Sequence, residues 1–92
     1  MNKLEIKKAY KVEFNRVKNI VNNNDPIGLV SGGAPDDEYD IEIGKIMLIK
    51  DRSDIKQFTN EVEKIFVEYF GENSIVDHGA FERIARDVLS HK

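Results

Sequence analysis

Cysteine is absent from this chain, and only two histidines, His78 and His91, occur in it. Without cysteine, no disulfide can hold the fold and no thiolate can act as a nucleophile or a metal ligand. Neither histidine has a second histidine at the spacing of a zinc site. We therefore expect no catalytic residue, no metal and no cofactor, and the lack of cysteine fits a reducing cytoplasm.

Long apolar runs are also missing. The longest, Ile46–Ile49, is far too short to cross a bilayer. The first residues lack the apolar run of a signal peptide. These absences predict a cytoplasmic protein with no membrane partner.

The charge is unevenly distributed along the chain, although the net charge is only −3. Residues 1–24 carry a net charge of +4, residues 25–44 carry −6, and residues 45–92 carry −1. The basic segment contains a single arginine, Arg16, and its lysines are interpreted as a solvated helix face. So small a net charge, with so few arginines in the basic segment, predicts no nucleic-acid partner.

The length of 92 residues predicts one domain, spanning residues 1–92. A chain of this size buries roughly 60–65% of the surface that its unfolded form exposes, which is enough for one modest core. A deep catalytic cleft between two lobes is therefore not expected.

Helical spacing of apolar residues predicts a first helix from Lys3 to about Asn22. Its apolar stripe comprises Ile6, Tyr10, Phe14, Val17, Ile20 and Val21. Asn22, Asn23 and Asn24 are expected to end it, because asparagine tolerates the left-handed conformation. Asp36 or Asp37 is predicted to cap a second helix, apolar over much of its circumference and hence the most buried element.

Two more helices follow in the second half of the chain. Ser53 is predicted to cap the third helix and Gly71 to end it, and Asp77 is predicted to cap the fourth. Residues Ile46–Ile49 alone would also fit a strand, but no partner strand is visible in the sequence. The predicted fold is all-α, an open array of about four helices with one long ordered loop between helices 1 and 2.

The stretch from Asp25 to Asp40 departs most from ordinary helical sequence, since it holds both prolines, three glycines and no basic residue. A turn is expected where Pro26 follows Asp25, and Ile27, Leu29 and Val30 are expected to anchor the loop on the helices. The residues predicted to shape the loop are Pro26, Gly28, Gly32, Gly33 and Pro35.

This stretch also contains the candidate protein-binding residues, which are Asp25, Asp36, Asp37, Glu38, Tyr39 and Asp40. Three interpretations of its acids remain open: helix capping, an acidic surface for a basic partner, and a metal or acid–base site. Tyr39 is predicted to pack under the loop, with its hydroxyl hydrogen-bonded to a loop carbonyl.

The same stretch resembles the signature of the YugE-like family of small bacterial proteins of unknown function. The matching residues are Asp25-Pro26-Ile27-Gly28-Leu29, Gly33 through Asp40, and then Ile43 and Ile46. The resemblance implies an all-helical array of about four helices. A similar pattern occurs in small proteins that look like immunity partners of secreted bacterial toxins.

Three functional hypotheses follow. The first is a non-enzymatic module that binds another, unidentified protein through Asp25–Asp40, for example as an immunity protein whose acids cover a basic toxin site. The second is that the signature is purely structural and the protein is an oligomeric scaffold. The third is a small enzyme or metal protein that uses Asp25, Asp37, Asp40 and Tyr39.

Overall fold

The computed structural model describes residues 2–90, and within them the regular structure is entirely helical. The elements are α1 (Lys3–Asn24), α2 (Asp40–Met47), α3 (Ile55–Phe70), a 3-10 turn (Glu72–Ser74) and α4 (Ala80–Leu89). The predicted all-α fold of about four helices is confirmed. No strand occurs at residues 46–49, where Met47 closes α2.

The core lies mainly between α3 and α4. Its fully buried or nearly buried apolar residues are Val17, Val21, Tyr39, Ile43, Ile46, Phe58, Val62, Phe66, Ile75, Ala80, Phe81, Ile84, Ala85 and Val88. The prediction that the second helix is the most buried element is wrong, because Ile41 and Leu48 are 63% and 73% exposed. The eight-residue α2 packs on α1 and α3, and only Glu42, Ile43 and Ile46 of its residues are buried.

The end of α1 differs from its predicted position. The asparagines do not end the helix, which runs through Asn24, and the left-handed residue is Asp25, with φ 47°. Asn24 stays helical while its side-chain amide donates to the Ile20 carbonyl at 2.8 Å. The left-handed conformation is thus found one residue later than predicted.

The apolar stripe of α1 is buried only in its second half. Val17 and Val21 are fully buried, whereas Ile6 and Tyr10 are 52% and 55% exposed. The stripe lies on one helix face, as predicted, but within residues 2–90 no neighbour covers its first part. Residues 3–12, all exposed, are called the arm below.

Two of the predicted caps shift by one or two residues. Asp54, not Ser53, caps α3, since its carboxylate accepts a hydrogen bond from the Lys56 amide at 2.9 Å. The N-cap of α4 is Gly79, not Asp77. Asp77 instead accepts from the Gly79 amide at 3.1 Å and pairs with Arg83.

The predicted end of α3 is confirmed, because Gly71 follows its last residue with φ 83°. That conformation favours glycine.

No helix within residues 2–90 combines the length and the apolar character that a bilayer crossing requires.

Candidate functional site

The loop between α1 and α2 is ordered and packed, as predicted. It opens with a turn in which the Gly28 amide donates to the Asp25 carbonyl at 3.0 Å, with Pro26 buried at the second position. The half-buried side chains of Ile27, Leu29 and Val30 pack against the core. The loop is therefore a fixed part of the fold.

The Asp25 carboxylate ties the first half of this loop together. Its Oδ1 accepts a hydrogen bond from the Val30 amide at 3.0 Å and from the Tyr39 hydroxyl at 2.7 Å. Its Oδ2 accepts from the Ser31 amide at 2.9 Å. A single side chain thus replaces the partners that this irregular backbone would otherwise find in water.

Tyr39 completes the arrangement from the other end of the loop. Its hydroxyl accepts from the Ile27 amide at 3.1 Å and from the Leu29 amide at 3.4 Å, while its ring is fully buried. Packing under the loop is confirmed, but the hydroxyl donates to a carboxylate rather than to the predicted carbonyl. We refer to Asp25 and Tyr39 with the amides of residues 27–31 as the clamp.

The protonation states of the clamp suit a structural role. Burial and the neighbouring Asp25 carboxylate raise the pKa of Tyr39 to about 12. Burial opposes ionisation of Asp25, but hydrogen bonds from Ser31, Tyr39 and Val30 outweigh it and lower its pKa. At neutral pH the pair is therefore a neutral hydroxyl donating to a carboxylate.

The three loop glycines occupy positions where another residue would be unfavourable. Gly28 has φ 80°, a conformation that other residues adopt only with strain. At Gly32 an added Cβ would lie 3.0 Å from the Gly28 carbonyl oxygen. Gly33 has φ 91°, again a conformation that favours glycine, and Pro35, the last of the predicted set, is exposed.

Asp36, Asp37 and Glu38 form an exposed run that we call the acidic edge. The prediction that Asp36 or Asp37 caps the second helix is wrong. Residues 36–39 form turns, α2 begins only at Asp40, and its N-cap, Tyr39, makes no side-chain capping bond. The clamp holds Tyr39 inward at this point, so the acids before it remain on the surface.

The acidic edge lies beside the C-terminal part of α1. The Asn22 side-chain amide donates to the Asp36 carbonyl at 3.0 Å, and Lys18 lies 3.1 Å from the Asp40 carboxylate. Within residues 2–90, no ion pair joins a base to any carboxylate of the acidic edge. The pKa of Lys18 is raised mainly by its bond to Asp40, and the nearby charges of Asp36 and Asp37 add to the effect. Because Lys18 pairs with Asp40, the carboxylates of the acidic edge stay available to charges on another molecule.

Glu42 is a buried carboxylate that does not belong to the predicted binding residues; its place in the first turns of the second helix predicts only a favourable interaction with the helix dipole. It is only 3% exposed, and its Oε1 has no hydrogen-bond partner within the described part of the chain. Burial raises its pKa, and the nearby charges of Asp40 and Glu38 add to the effect. Its position three residues after Tyr39 and four before Ile46 places it on the buried face, a signal that the sequence already contained.

Replacing Glu42 by glutamine is expected to stabilise the protein at neutral pH by about 1 kcal/mol, because an unpaired buried carboxylate costs more than a neutral amide. A raised folded-state pKa gives stability that is present below the unfolded pKa and lost as pH rises through the folded pKa. The gain from Glu42→Gln should therefore be seen in thermal melts at pH 7 and vanish near pH 4.

The matched control is Glu68→Gln, an exposed position on α3, which should change stability by less than about 0.5 kcal/mol. A Glu42→Gln variant that is no more stable than wild type at pH 7 would contradict the unpaired state of this carboxylate.

The candidate residues fall into separate places. Asp25 and Tyr39 meet in the clamp, Asp40 pairs with Lys18, and Asp37 is exposed on the acidic edge. Within residues 2–90, no group of three or more histidine, aspartate or glutamate side chains is arranged to hold a metal ion. His78 is exposed just before α4, and His91 lies outside the described residues.

Comparisons of the chain with protein families, with curated proteins and with solved structures found no match.

Proposed function

We propose that this is a cytoplasmic, non-enzymatic protein-binding module that presents the acidic edge to a basic surface of another protein. The observation that supports this most directly is the state of Asp36, Asp37 and Glu38, which are exposed and unpaired within the described chain. Opposite charges on two proteins speed their association and select the partner.

The fixed loop supports the same proposal. The clamp holds the chain on both sides of the acidic edge, since Asp25 precedes it and Tyr39 directly follows Glu38. Asn22 also holds the Asp36 backbone from α1. Carboxylates on a held backbone lose less conformational freedom on binding than carboxylates on a mobile loop. Asp25 and Tyr39 then contribute by holding the loop, since the Tyr39 side chain is fully buried.

An immunity-type role, in which the acidic edge covers a basic site on a toxin, is one concrete form of this function. Such a site would attract the acidic edge at long range, and binding would weaken as salt is added.

Affinity capture tests the proposal. Tagged wild type and a triple variant, Asp36→Lys/Asp37→Lys/Glu38→Lys, are used as baits in a lysate of the source organism. The triple variant is expected to recover at least about tenfold less of the specific partner, because like charges would then face each other. Circular dichroism should show both baits folded, since all three positions are exposed.

The control bait is Glu63→Lys/Glu68→Lys/Glu72→Lys, which makes the same change in net charge outside the acidic edge. Equal recovery by wild type and by the acidic-edge variant would contradict the proposal. Equal losses with both variants would assign the effect to net charge alone.

A second candidate, an oligomeric scaffold with a purely structural signature, is favoured by the clamp itself. Asp25, Pro26, Gly28 and Tyr39 all serve the loop conformation directly. This alternative gains if loss of the clamp lowers stability while the acidic-edge variant retains every partner.

A further inference from the structure

Among the described residues 2–90, the arm at the start of α1 projects beyond the other helices. Arg16 donates to the carbonyls of Asp87 and Val88, at 3.3 and 2.9 Å, so the last turn of α4 lies level with Arg16. Further along, Arg83 of α4 donates to Asn24, so α4 runs antiparallel to α1. The arm therefore extends past the end of α4.

The position of α2 also shows which part of α1 has a neighbour. Asp36 contacts Asn22, and Asp40 contacts Lys18. The chain from the acidic edge into α2 therefore runs back along α1, antiparallel to it. Every residue of the arm is exposed, and at 1.5 Å per residue the arm is about 15 Å long.

The exposed apolar residues of the arm indicate that it binds a partner. Ile6 and Tyr10 continue the face that buries Val17 and Val21, and the Tyr10 ring stacks on Phe14 at 6.2 Å between centroids. A helical segment of this length is only marginally stable in water without packing. A surface that covers Ile6 and Tyr10 would supply that packing.

The charge of the arm selects the kind of partner. The bases of the arm are Lys3, Lys7, Lys8 and Lys11, and Glu5 is its only acid. Two arms side by side would place lysines against lysines, which is unfavourable. A lipid surface requires one broad apolar face, but Leu4 and Val12 lie on the side of the helix opposite Ile6 and Tyr10.

The acidic edge has the complementary chemistry. Its three carboxylates form no ion pair within residues 2–90, and the neighbouring Ile41 is 63% exposed and offers an apolar contact. The arm and the acidic edge lie at opposite ends of α1. Two copies with antiparallel α1 helices would therefore place each arm beside the acidic edge of the other, and the contact would form twice.

We propose that the arm of one copy docks on the acidic edge of a second copy, forming a symmetric dimer. This inference rests on the proposed function in that it keeps the acidic edge as the binding surface, and it names a second copy of the chain as a partner of that edge. Lysines of the arm meet Asp36, Asp37 and Glu38, while Ile6 and Tyr10 cover Ile41.

The test uses two charge-reversed variants and their mixture in analytical ultracentrifugation at low ionic strength. The arm variant is Lys7→Glu/Lys11→Glu, and the edge variant is Asp36→Lys/Asp37→Lys. Wild type is expected to dimerise, and each variant alone is expected to bind itself at least about tenfold more weakly. Mixing the two variants should restore the dimer, because both reciprocal contacts then pair opposite charges.

Three outcomes would overturn the dimer. One is a monomeric wild type at millimolar concentration, and another is a mixture that associates no better than its components. The third is wild type that stays monomeric but binds vesicles containing anionic lipid. In each case the capture experiment above still judges the acidic edge separately, so failure of the dimer and failure of the proposed function remain distinguishable.

Discussion

Replacing Asp25 by alanine is expected to lower the free energy of unfolding by about 3 kcal/mol, because two backbone amides and the Tyr39 hydroxyl lose a charged acceptor. Alanine at φ 47° adds backbone strain of about 1 kcal/mol. Urea unfolding measures the loss. Hydrogen exchange of the Val30 and Ser31 amides shows whether it arises in the clamp.

Two further substitutions separate the contributions. Asp25→Gly relieves the backbone strain but still removes the acceptor, so it should cost within about 1 kcal/mol of Asp25→Ala. Asp25→Asn retains one acceptor oxygen and tolerates the left-handed conformation, so it should cost least. A harmless Asp25→Gly would show that the clamp contributes little to stability.

The effect of Asp25 should also depend on pH. Its folded-state pKa is lowered, so its contribution is present above the unfolded pKa and lost as pH falls through the folded pKa. The difference in stability between wild type and Asp25→Asn is therefore expected to shrink in acid. This direction is opposite to that expected for Glu42, whose folded-state pKa is raised.

Phe66→Ala is expected to have the largest effect of any substitution considered, about 3–5 kcal/mol, because a fully buried aromatic ring is removed from the core. The Phe66 ring contacts those of Tyr39, Phe70 and Phe81, at centroid distances of 5.7, 6.2 and 5.5 Å. It thus joins α3, α4 and the start of α2, and its loss should also loosen the clamp through Tyr39.

Tyr69→Ala provides the matched control, since Tyr69 lies on the same helix but is 44% exposed. It should cost less than about 1 kcal/mol. Should Phe66→Ala fail to fold, Phe66→Leu retains part of the packing and allows the measurement. A small cost for Phe66→Ala would contradict the position of this ring at the centre of the fold.

Predictions from local pattern succeeded where one segment suffices to decide the outcome. Helical spacing identified α3 and α4, and Gly71 marked the end of α3. The apolar residues of the loop showed that it packs down. Each of these features depends on residues a few positions apart, whose relation the sequence displays directly.

Caps were less predictable, because several acceptors compete near each helix start. Asp54 caps α3 although Ser53 precedes it, since Ser53 bonds Asp51 instead. At α2 the competition is tertiary, because the clamp draws Tyr39 inward and the acidic edge ends in turns. A prediction from capping carboxylates alone therefore places the start of α2 too early.

The sequence by itself determined the number of helices, their apolar faces and the presence of an ordered, acidic loop, because periodicity and turn chemistry are local. Only the tertiary structure decided that Asp25 and Tyr39 form the clamp. It also decided that, within residues 2–90, one oxygen of the buried Glu42 carboxylate has no partner and the arm is uncovered. A helical pattern shows which residues share a face. Whether that face is covered depends on where the neighbouring helices end, and those ends are set by contacts between residues far apart in the chain.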